Sequence, residues 1–320
     1  MWRQNETQGT DFILLGLFPE FQHRSFLVSV VLLVYLAAFT ANAVLVLLIW
    51  VDSRLHIPMY FLLSQLSLLD LALTSTTIPK IVSDFFSGKR NTSRVACVAQ
   101  MFLYLTVGGS ECLLLTLMSY DRYVAVCHPL RYPILVSPGV CLQMVSGSWI
   151  GGTLTSLVLT VYAATLPICG SREIHQYFCE LPSVVKLACE DTSAFEMAVL
   201  VSGITFLLVP VSLIVVSYAF IFLSVLRMDS REGRRKALTT CSSHLTVVTL
   251  YFGPGIFIYM TPGPSHAPDQ NQGVSLFGTL LTPALNPLIY SLRNREVLGA
   301  LTKIMKQSSV LQSSRKNFRL

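Results

Sequence analysis

The stretch FLVSVVLLVYLAAFTANAVLVLLIW, residues 26–50, contains no acidic or basic side chain. An α-helix rises about 1.5 Å per residue, so about 20 mainly apolar residues cross the hydrocarbon core of a bilayer. This stretch is long enough for a complete span, whereas buried helices of soluble proteins are usually shorter. It therefore predicts a transmembrane helix.

Six further windows have the same character, and across all seven the only acidic or basic residues are Asp70 and Glu111. Strands of a membrane barrel would instead alternate polar and apolar residues over about ten positions. Because every backbone polar group in lipid needs an internal partner, the windows predict an all-α membrane protein, a seven-transmembrane helix bundle. The six windows are residues 59–79, 95–120, 140–165, 197–226, 237–260 and 273–292.

The overall composition agrees with this prediction. Hydrophobic residues make up 52% of the chain and charged residues only 12%. Such a composition excludes a disordered tail and a nucleic-acid binder. We expect most of the chain to be in contact with membrane lipid. It also lacks a phosphate-binding loop, zinc-ligand spacing and a nucleophile elbow, so we expect no enzyme activity, no cofactor and no metal centre.

Lysine and arginine are distributed unevenly between the two sides of the predicted bundle. Of the 23 such residues, 8 lie on the side of the N-terminus and 15 on the opposite side. Since basic loops resist translocation, the N-terminus is predicted to be extracellular and the C-terminus cytoplasmic, in a multi-pass protein of the plasma membrane. No cleavable signal peptide is visible, so the first span would act as the insertion signal.

The chain is accordingly predicted to be a single seven-transmembrane domain, residues 1–320, in three parts. Residues 1–25 form the extracellular N-terminus, 26–292 the helix bundle, and 293–320 the cytoplasmic tail. Within the tail, residues 294–307 carry apolar side chains at helical spacing among basic ones. This pattern predicts a short amphipathic helix on the inner leaflet.

The predicted outer side carries the features expected of an oxidising compartment. Asn5-Glu6-Thr7 is a glycosylation sequon in the N-terminal segment, and Asn91-Thr92-Ser93 is a second one close to the predicted membrane boundary. Four of the eight cysteines also fall on this side, and disulfides are expected among them, although three pairings are open. These cysteines are Cys97, Cys169, Cys179 and Cys189.

The two carboxylates inside the windows indicate a functional polar core. An ionisable group within a span costs about 2.5 to 3.5 kcal/mol on insertion scales and is usually functional. If the helices that carry Asp70 and Glu111 are neighbours, the two groups could share a proton or hold a small cation such as sodium. The alternative is a hydrogen-bonded pair that only fixes the packing.

Asp121-Arg122-Tyr123 marks the inner end of the third window. Cys97 and Arg122 are about 37 Å apart along a helix at 1.5 Å per residue, so one helix would join the two sides of the membrane. An arginine held by the adjacent aspartate can be released when helices shift, which makes an electrostatic latch. Charged residues at helix ends also commonly extend towards water without any such role.

The seventh window contains PALNPLIY, residues 283–290. Pro287 removes a backbone donor and frees a carbonyl one turn earlier, so a hinge is predicted there. Asn286 is the side chain expected to satisfy the exposed backbone groups.

With these motifs in place, the sequence resembles the rhodopsin-like G-protein-coupled receptors and, within them, the odorant receptors. The resemblance extends over almost the whole chain. It rests on DFILLG at residues 11–16, LHIPMYF at 55–61, MSYDRYVAVC at 118–127, Ser217-Tyr218, KALTTCSSHL at 236–245 and the segment 283–294.

The resemblance implies specific roles for these residues. It pairs Cys97 with Cys179 and Cys169 with Cys189, and it groups Asn42, Asp70, Glu111 and Asn286 in a polar core. The implied partner is a heterotrimeric G protein of the olfactory stimulatory type, which raises cyclic AMP. The implied coupling and switch residues are Asp121, Arg122, Tyr123, Tyr218, His244, Asn286, Pro287 and Tyr290.

The implied ligand is a small, mostly neutral volatile odorant in an apolar cavity between spans three, five, six and seven. No acidic or basic residue belongs to the expected wall, which is why a neutral ligand is favoured. The order Tyr251-Phe252, where the family commonly has Phe-Tyr, puts its usual hydroxyl at the cavity floor in question. The expected wall residues are Tyr104, Leu105, Gly108, Gly109, Cys112, Ser202, Phe206, Ile256, Tyr259 and Thr279.

Three alternatives stay open at this stage. The chain could be a rhodopsin-like receptor for a small molecule that is not an odorant. It could also be a secondary transporter that uses the two intramembrane carboxylates, although no internal repeat is present. Gly108 and Gly109, finally, are explained equally well by close packing of two helices.

Overall fold

The computed structural model describes residues 11–169, 171–260, 268–292 and 296–303. The predicted glycosylation site Asn5 and the tail after residue 303 lie outside this part of the chain. All seven predicted windows lie within helices, which confirms the seven-helix bundle. The helices are α1 (Arg24–Val51), α2 (Pro58–Ser87), α3 (Arg94–Cys127), α4 (Pro138–Thr165), α5 (Ser193–Leu226), α6 (Arg231–Met260) and α7 (268–292).

The helices α1 to α6 are each long and apolar enough to cross a membrane. Helix α7 is continuous but consists of three pieces, Pro268–Leu276, a π-helical stretch Phe277–Leu281, and Thr282–Leu292. At 1.5 Å per residue it is about 37 Å long, which is also sufficient for a span.

Helix α3 lies at the centre of the bundle and packs against α2, α4, α5 and α6, while α1 packs against α2 and α7. The central helices bury leucines that pack against one another, among them Leu66 of α2 and Leu115 of α3. The outward faces are equally apolar but exposed, as at Leu33 and Trp50 of α1. Exposed apolar faces on every side are what a bundle surrounded by lipid requires, because lipid does not penalise them.

Prolines shape the regularity of the helices. A π-helical stretch, Ile204–Leu208, lies shortly before Pro210 in α5, and the stretch Phe277–Leu281 lies shortly before Pro283 in α7. Proline cannot donate to the carbonyl four residues earlier, so the preceding turn widens. The irregular part of α7 therefore precedes Pro283, whereas the sequence predicted a hinge at Pro287.

The carbonyls that internal prolines leave free are satisfied by neighbouring helices. Thr282 Oγ1 of α7 donates to the Leu250 carbonyl, which faces the gap left by Pro254 in α6, at 3.1 Å. Asn42 Nδ2 of α1 donates to the Pro283 carbonyl, which Pro287 leaves free, at 2.9 Å. The sequence assigned this second task to Asn286, and that prediction is wrong, because the Asn286 amide turns to Asp70 instead.

On the N-terminal side, a small sheet and two disulfides hold the loops together. Strand β1 (Phe12–Leu14) lies between β2 (Asn91–Thr92), to which it is antiparallel, and β3 (Glu173–Ile174), to which it is parallel. Disulfides join Cys97 to Cys179 and Cys169 to Cys189, the pairing that the resemblance implies. The first fastens the loop between α4 and α5 to the beginning of α3, and the second joins two positions within that loop.

Beyond α7, residues 296–303 form a helix on the opposite side of the bundle. It buries Val297 and Ala300 against the bundle. Tyr60 Oη at the start of α2 donates to Glu296 Oε2 at 2.6 Å, which fastens the beginning of this helix.

Candidate functional site

A cavity opens between α3, α4, α5, α6 and α7 on the N-terminal side of the bundle. The space that it encloses, including its opening, is about 960 Å³, and its wall is mainly apolar. Helix α4, which the sequence did not place in the wall, contributes Thr155 and Ser156. Eight of the ten expected wall residues line the cavity: Tyr104, Leu105, Gly108, Gly109, Cys112, Ser202, Phe206 and Tyr259.

The other two expected residues, Ile256 and Thr279, do not line the cavity. Ile256 packs against the central apolar core. Thr279 is buried under the loop that covers the cavity, where its hydroxyl lies 2.9 Å from Tyr177 Oη and donates to the Ser275 carbonyl at 2.8 Å. Helix α7 lines the cavity through Val274, Ser275 and Gly278 instead.

The two adjacent glycines of α3 have different surroundings. A Cβ at Gly108 would meet only the Tyr251 hydroxyl, at 3.7 Å, so this glycine leaves open space in the cavity. A Cβ at Gly109 would lie 3.2 Å from the Gly152 Cα of α4. Gly109 thus serves the close approach of α3 and α4 as well as the cavity.

The order Tyr251-Phe252 keeps a hydroxyl in the cavity wall. Tyr251 lines the cavity, whereas Phe252 is buried in the central core. Tyr251 Oη donates to the Gly108 carbonyl at 2.6 Å and lies 3.6 Å from the Cys112 sulfur. The wall therefore has a phenol that links α6 to α3.

Residues 175–181, which we call the cavity roof, cover the cavity from the loop between α4 and α5. Cys179 ties the roof to α3 through its disulfide, and its backbone N–H donates to Gln100 Oε1 at 2.9 Å. The buried Phe178 ring lies 4.9 Å from that of Tyr104. Leu181 is the roof residue that reaches the cavity itself.

The roof also carries a carboxylate that sequence reasoning missed. Glu180 is 2% exposed and accepts hydrogen bonds from Gln176 Nε2 at 3.0 Å and from Ser275 Oγ at 3.2 Å. Burial raises the pKa of the Glu180 carboxyl, and these two hydrogen bonds oppose the shift. In the sequence, only its position next to Cys179 indicated that Glu180 lies at the cavity. The disulfide that holds Cys179 over the cavity also places the adjacent residues there.

The four residues expected in the polar core, Asn42, Asp70, Glu111 and Asn286, are all buried in the bundle. Asn286 Nδ2 donates to both carboxylate oxygens of Asp70 at 3.1 Å, and Asp70 lies close enough to Glu111 for their charges to interact. Both Glu111 oxygens and the Asn42 and Asn286 side-chain oxygens are buried without a hydrogen-bond partner among the described residues. Those residues contain no group of three or more His, Cys, Asp or Glu side chains arranged for a metal ion.

At the C-terminal end of α3, Asp121 and Arg122 pair with each other. Arg122 Nη2 and Nε donate to Asp121 Oδ2 at 2.5 and 3.0 Å, and Tyr132 Oη donates to Asp121 Oδ1 at 2.7 Å. Tyr132 was not predicted, although it follows the motif by only nine positions. Tyr123 turns away from this pair, and its hydroxyl lies 3.1 Å from His128 Nε2.

The remaining expected switch residues lie around the same end of the bundle. Tyr218 Oη of α5 and His244 Nδ1 of α6 are 2.9 Å apart, and their rings stack. Tyr290 Oη of α7 is buried and has no partner among the described residues. Pro287 lies within the last piece of α7.

An exposed apolar surface adjoins this end. Leu130 is 94% exposed and Ile134 76% exposed on the connection between α3 and α4. The nearby connection between α5 and α6 and the start of α6 are basic, with Arg227, Arg231, Arg234 and Arg235.

Comparison with known proteins places this architecture in one family. The family model described as olfactory receptor matches residues 31–308. Human Olfactory receptor 2M2 is 50% identical over 302 residues, which cover 94% of this chain and 87% of that relative. Human olfactory receptors 2T11 and 2T5 are each 50% identical, over 306 and 307 residues that cover 96% of this chain and 97% and 98% of theirs.

The family model matches most of the chain, and the relatives are 50% identical over nearly all of it. Both findings agree with the seven-helix bundle and its cavity. They also agree with the expectation that the chain is not an enzyme, and they favour a receptor over a transporter. This multi-pass membrane protein belongs to the olfactory receptor family.

Proposed function

We propose that this receptor binds a small, mostly neutral volatile odorant in its cavity and activates a heterotrimeric G protein of the olfactory stimulatory type, raising cyclic AMP. The observation that carries the proposal is that α3 lines the cavity at Tyr104, Gly108 and Cys112 and bears Arg122 at its other end. Cys112 and Arg122 are about 15 Å apart along the helix. A ligand that displaces α3 acts on both ends of one rigid element.

The proposal requires the N-terminus to be extracellular and the tail cytoplasmic. The excess of basic residues on the tail side supports this orientation, as do the two disulfides on the N-terminal side. The basic residues at the start of α6 then face the cytosol, where they contact anionic membrane lipid.

The inner end of α3 serves as the switch. The pair of Asp121 and Arg122 is supported by Tyr132, while Tyr218 and His244 bond to each other across α5 and α6. These contacts are short-range and polar, so a helix shift of one or two ångströms breaks them. Arg122 is then released, and Asn286, Pro287 and Tyr290 of α7 adjust beside it.

The exposed Leu130 and Ile134 give the G protein an apolar contact next to Arg122. Two large apolar side chains exposed at an aqueous surface mark an interaction site better than scattered single ones. The adjacent basic segment contributes charge to the same surface.

Asp70 and Glu111 hold a shared proton or a small cation in the polar core. Four oxygens of Glu111, Asn42 and Asn286 have no hydrogen-bond partner within the described part of the chain, and oxygen ligands suit a hard cation. The core lies between the cavity and the switch, so its occupancy couples the two.

The test is a cyclic AMP reporter assay in cells, with a chemically diverse odorant panel. We expect agonists for the unmodified receptor, loss of the response in Arg122→Ala, and loss in Gly108→Leu, whose side chain fills the cavity. Gly147→Leu is the matched control, because Gly147 is exposed on α4 with nothing near its Cβ position. Surface labelling confirms that each variant is displayed.

Responses that persist in Arg122→Ala would contradict the proposed coupling, and responses that persist in Gly108→Leu would contradict the cavity as the ligand site. Agonists confined to carboxylic acids or amines would contradict the preference for neutral ligands.

A further inference from the structure

Three hydroxyl groups of the cavity wall already donate their protons to backbone carbonyls. Ser202 Oγ donates to the Val199 carbonyl at 2.8 Å, Ser156 Oγ to the Phe102 carbonyl at 2.7 Å, and Tyr251 Oη to the Gly108 carbonyl at 2.6 Å. A hydroxyl has one proton and two lone pairs. Once the proton is used inside the protein, the group can only accept a hydrogen bond from a ligand.

The Ser275 hydroxyl also donates its proton within the protein, in this case to the cavity roof. Its Oγ donates to Glu180 Oε1 at 3.2 Å and accepts from Gln176 Nε2 at 3.2 Å. The orientation of the Gln176 amide is set by the backbone, because its Oε1 accepts the Tyr177 N–H at 3.1 Å. Gln176 therefore presents only donors, Glu180 only acceptors, and the Ser275 proton points to Glu180.

The tyrosines at the top of the cavity are the opposite case. Tyr259 Oη is buried and has no hydrogen bond of normal geometry to any described residue, and the Tyr104 phenol is close enough to act on it. A hydrogen bond between the two phenols uses the proton of only one of them. The other phenol keeps its O–H available to donate. Thr155 is a further hydroxyl residue in the α4 wall of the cavity.

We propose that the cavity selects ligands bearing a hydroxyl group over carbonyl compounds and ethers of the same carbon skeleton, and that Glu180 enforces this by holding Ser275 as an acceptor. The inference rests on the proposed function and narrows its ligand class to alcohols and phenols. A ligand hydroxyl accepts from the free tyrosine donor and donates to Ser275 Oγ, whose own proton is held by Glu180. A ketone, an aldehyde or an ether satisfies only the first of these.

Glu180 is a positioning residue, because it acts on the ligand through Ser275. Replacing it by glutamine makes a specific prediction. The Gln176 N–H still needs an acceptor, so the new amide turns its oxygen to Gln176 and its NH₂ to Ser275. Ser275 then accepts that hydrogen bond, and its own O–H becomes free to donate to a ligand in the cavity.

The experiment compares matched sets in the reporter assay: octanol, octanal and methyl octyl ether, and menthol, menthone and menthyl methyl ether. For the unmodified receptor we expect the alcohol of an active set to have a half-maximal concentration roughly three- to tenfold below its partners, the effect of one neutral hydrogen bond. Ser275→Ala should weaken the alcohol response and leave the carbonyl response unchanged. Glu180→Gln should weaken the alcohol response and strengthen the carbonyl response.

The matched control is Ser212→Ala, since Ser212 is exposed on α5 and donates only to its own helix. A gain of carbonyl response in Glu180→Gln without a gain in Ser275→Ala separates positioning from a loss of fold. If Glu180→Gln does not reach the cell surface, Ser275→Ala decides.

Equal potency of alcohols and carbonyls, or an alcohol advantage that survives in Ser275→Ala, would overturn the inference and leave the proposed function intact. Agonists that all lack a hydroxyl group would overturn it as well. A receptor silent to every odorant of the diverse panel would instead remove the proposed function itself.

Discussion

At the scale of single residues, the proposed function depends on which polar atoms are left without partners. Glu180, Gln176 and Ser275 satisfy one another, while Glu111 and Tyr259 do not find partners among the described residues. A buried polar group without a partner costs about 1 to 3 kcal/mol. Such groups persist where a ligand, proton or ion supplies the missing interaction.

The ionisation of Glu180 predicts a pH dependence. Burial raises the pKa of its carboxyl, so it gains a proton at a higher pH than an ordinary glutamate. The neutral carboxyl can donate to Ser275, which frees the serine proton and removes the acceptor. The alcohol preference should be present above this raised pKa and decline as the extracellular pH falls through it.

The groups that interact with Glu180 do not account for a loss of the alcohol preference at low pH. The groups that act with it are Lys186, which favours the carboxylate, and the phenols of Tyr104, Tyr177 and Tyr259. Phenols ordinarily titrate near pH 10. Dose–response curves for a matched alcohol and carbonyl between about pH 5 and 8 measure the effect, and a Glu180→Gln receptor with the same pH profile would refute it.

The carboxylates of the polar core predict a second response. Asp70→Asn and Glu111→Gln should each alter the sensitivity of basal and odorant-stimulated signalling to sodium or pH, because either change removes one of two coupled ionisable groups. Sodium titration at fixed pH and pH titration at fixed sodium separate the cation from the shared proton. Asp84→Asn, at the end of α2 in an ion pair with Lys80, is the control. Unaltered sensitivity in both core variants would leave only a packing role.

At the scale of secondary-structure elements, α3 and α4 meet through glycine. A Cβ at Gly152 would lie 2.5 Å from Ser110 Oγ and 2.7 Å from the Thr106 carbonyl oxygen, which is closer than real contacts. Two helices can approach this closely only where a side chain is missing.

Gly152→Ala should therefore destabilise the receptor by about 1 to 3 kcal/mol, as expected for overpacking. The measurement is surface expression together with the midpoint of thermal unfolding in detergent. Gly108→Ala is the matched variant on the facing helix, because its Cβ has room. Similar stability of the two variants would show that the helices separate at little cost.

Contacts between helices also compensate for proline. Thr282 Oγ1 lies 3.1 Å from the Leu250 carbonyl oxygen of α6 and 3.3 Å from the Phe277 carbonyl oxygen in the π-helical stretch. Thr282→Val keeps the shape of the side chain and removes the donor. Stability should fall by about 0.6 to 2 kcal/mol, the range for hydrogen bonds between membrane helices.

Thermal unfolding of purified receptor checks this value. Thr249→Val is the control, since Thr249 is exposed on α6 and donates only within its own helix. An equal effect of the two substitutions would mean that the link between α6 and α7 adds nothing.

At the scale of the whole molecule, the orientation of the bundle decides which end meets the odorant. Epitope tags at the two termini should label in different compartments, the N-terminal tag on intact cells and the C-terminal tag only after permeabilisation. The basic residues on the tail side are the physical reason. Labelling of both tags on intact cells would be incompatible with seven spans.

The sequence by itself determined the seven spans, the membrane as surroundings, and most of the cavity wall on α3 and α5. The spans and their surroundings follow from local composition, since a charge-free run of sufficient length partitions into lipid wherever its neighbours lie, whereas the wall residues were implied by the family resemblance. The motif at Asp121 and Arg122 and the two intramembrane carboxylates were also readable, because ionisable groups are rare in spans.

Only the tertiary structure decided which groups meet. It assigned the Pro283 carbonyl to Asn42 and the Asp70 carboxylate to Asn286, excluded Ile256 and Thr279 from the cavity wall, and brought Glu180 over Ser275. These contacts join residues tens to hundreds of positions apart. Their formation depends on how whole helices and a disulfide-bonded loop pack, and no local pattern of hydrophobicity encodes that packing.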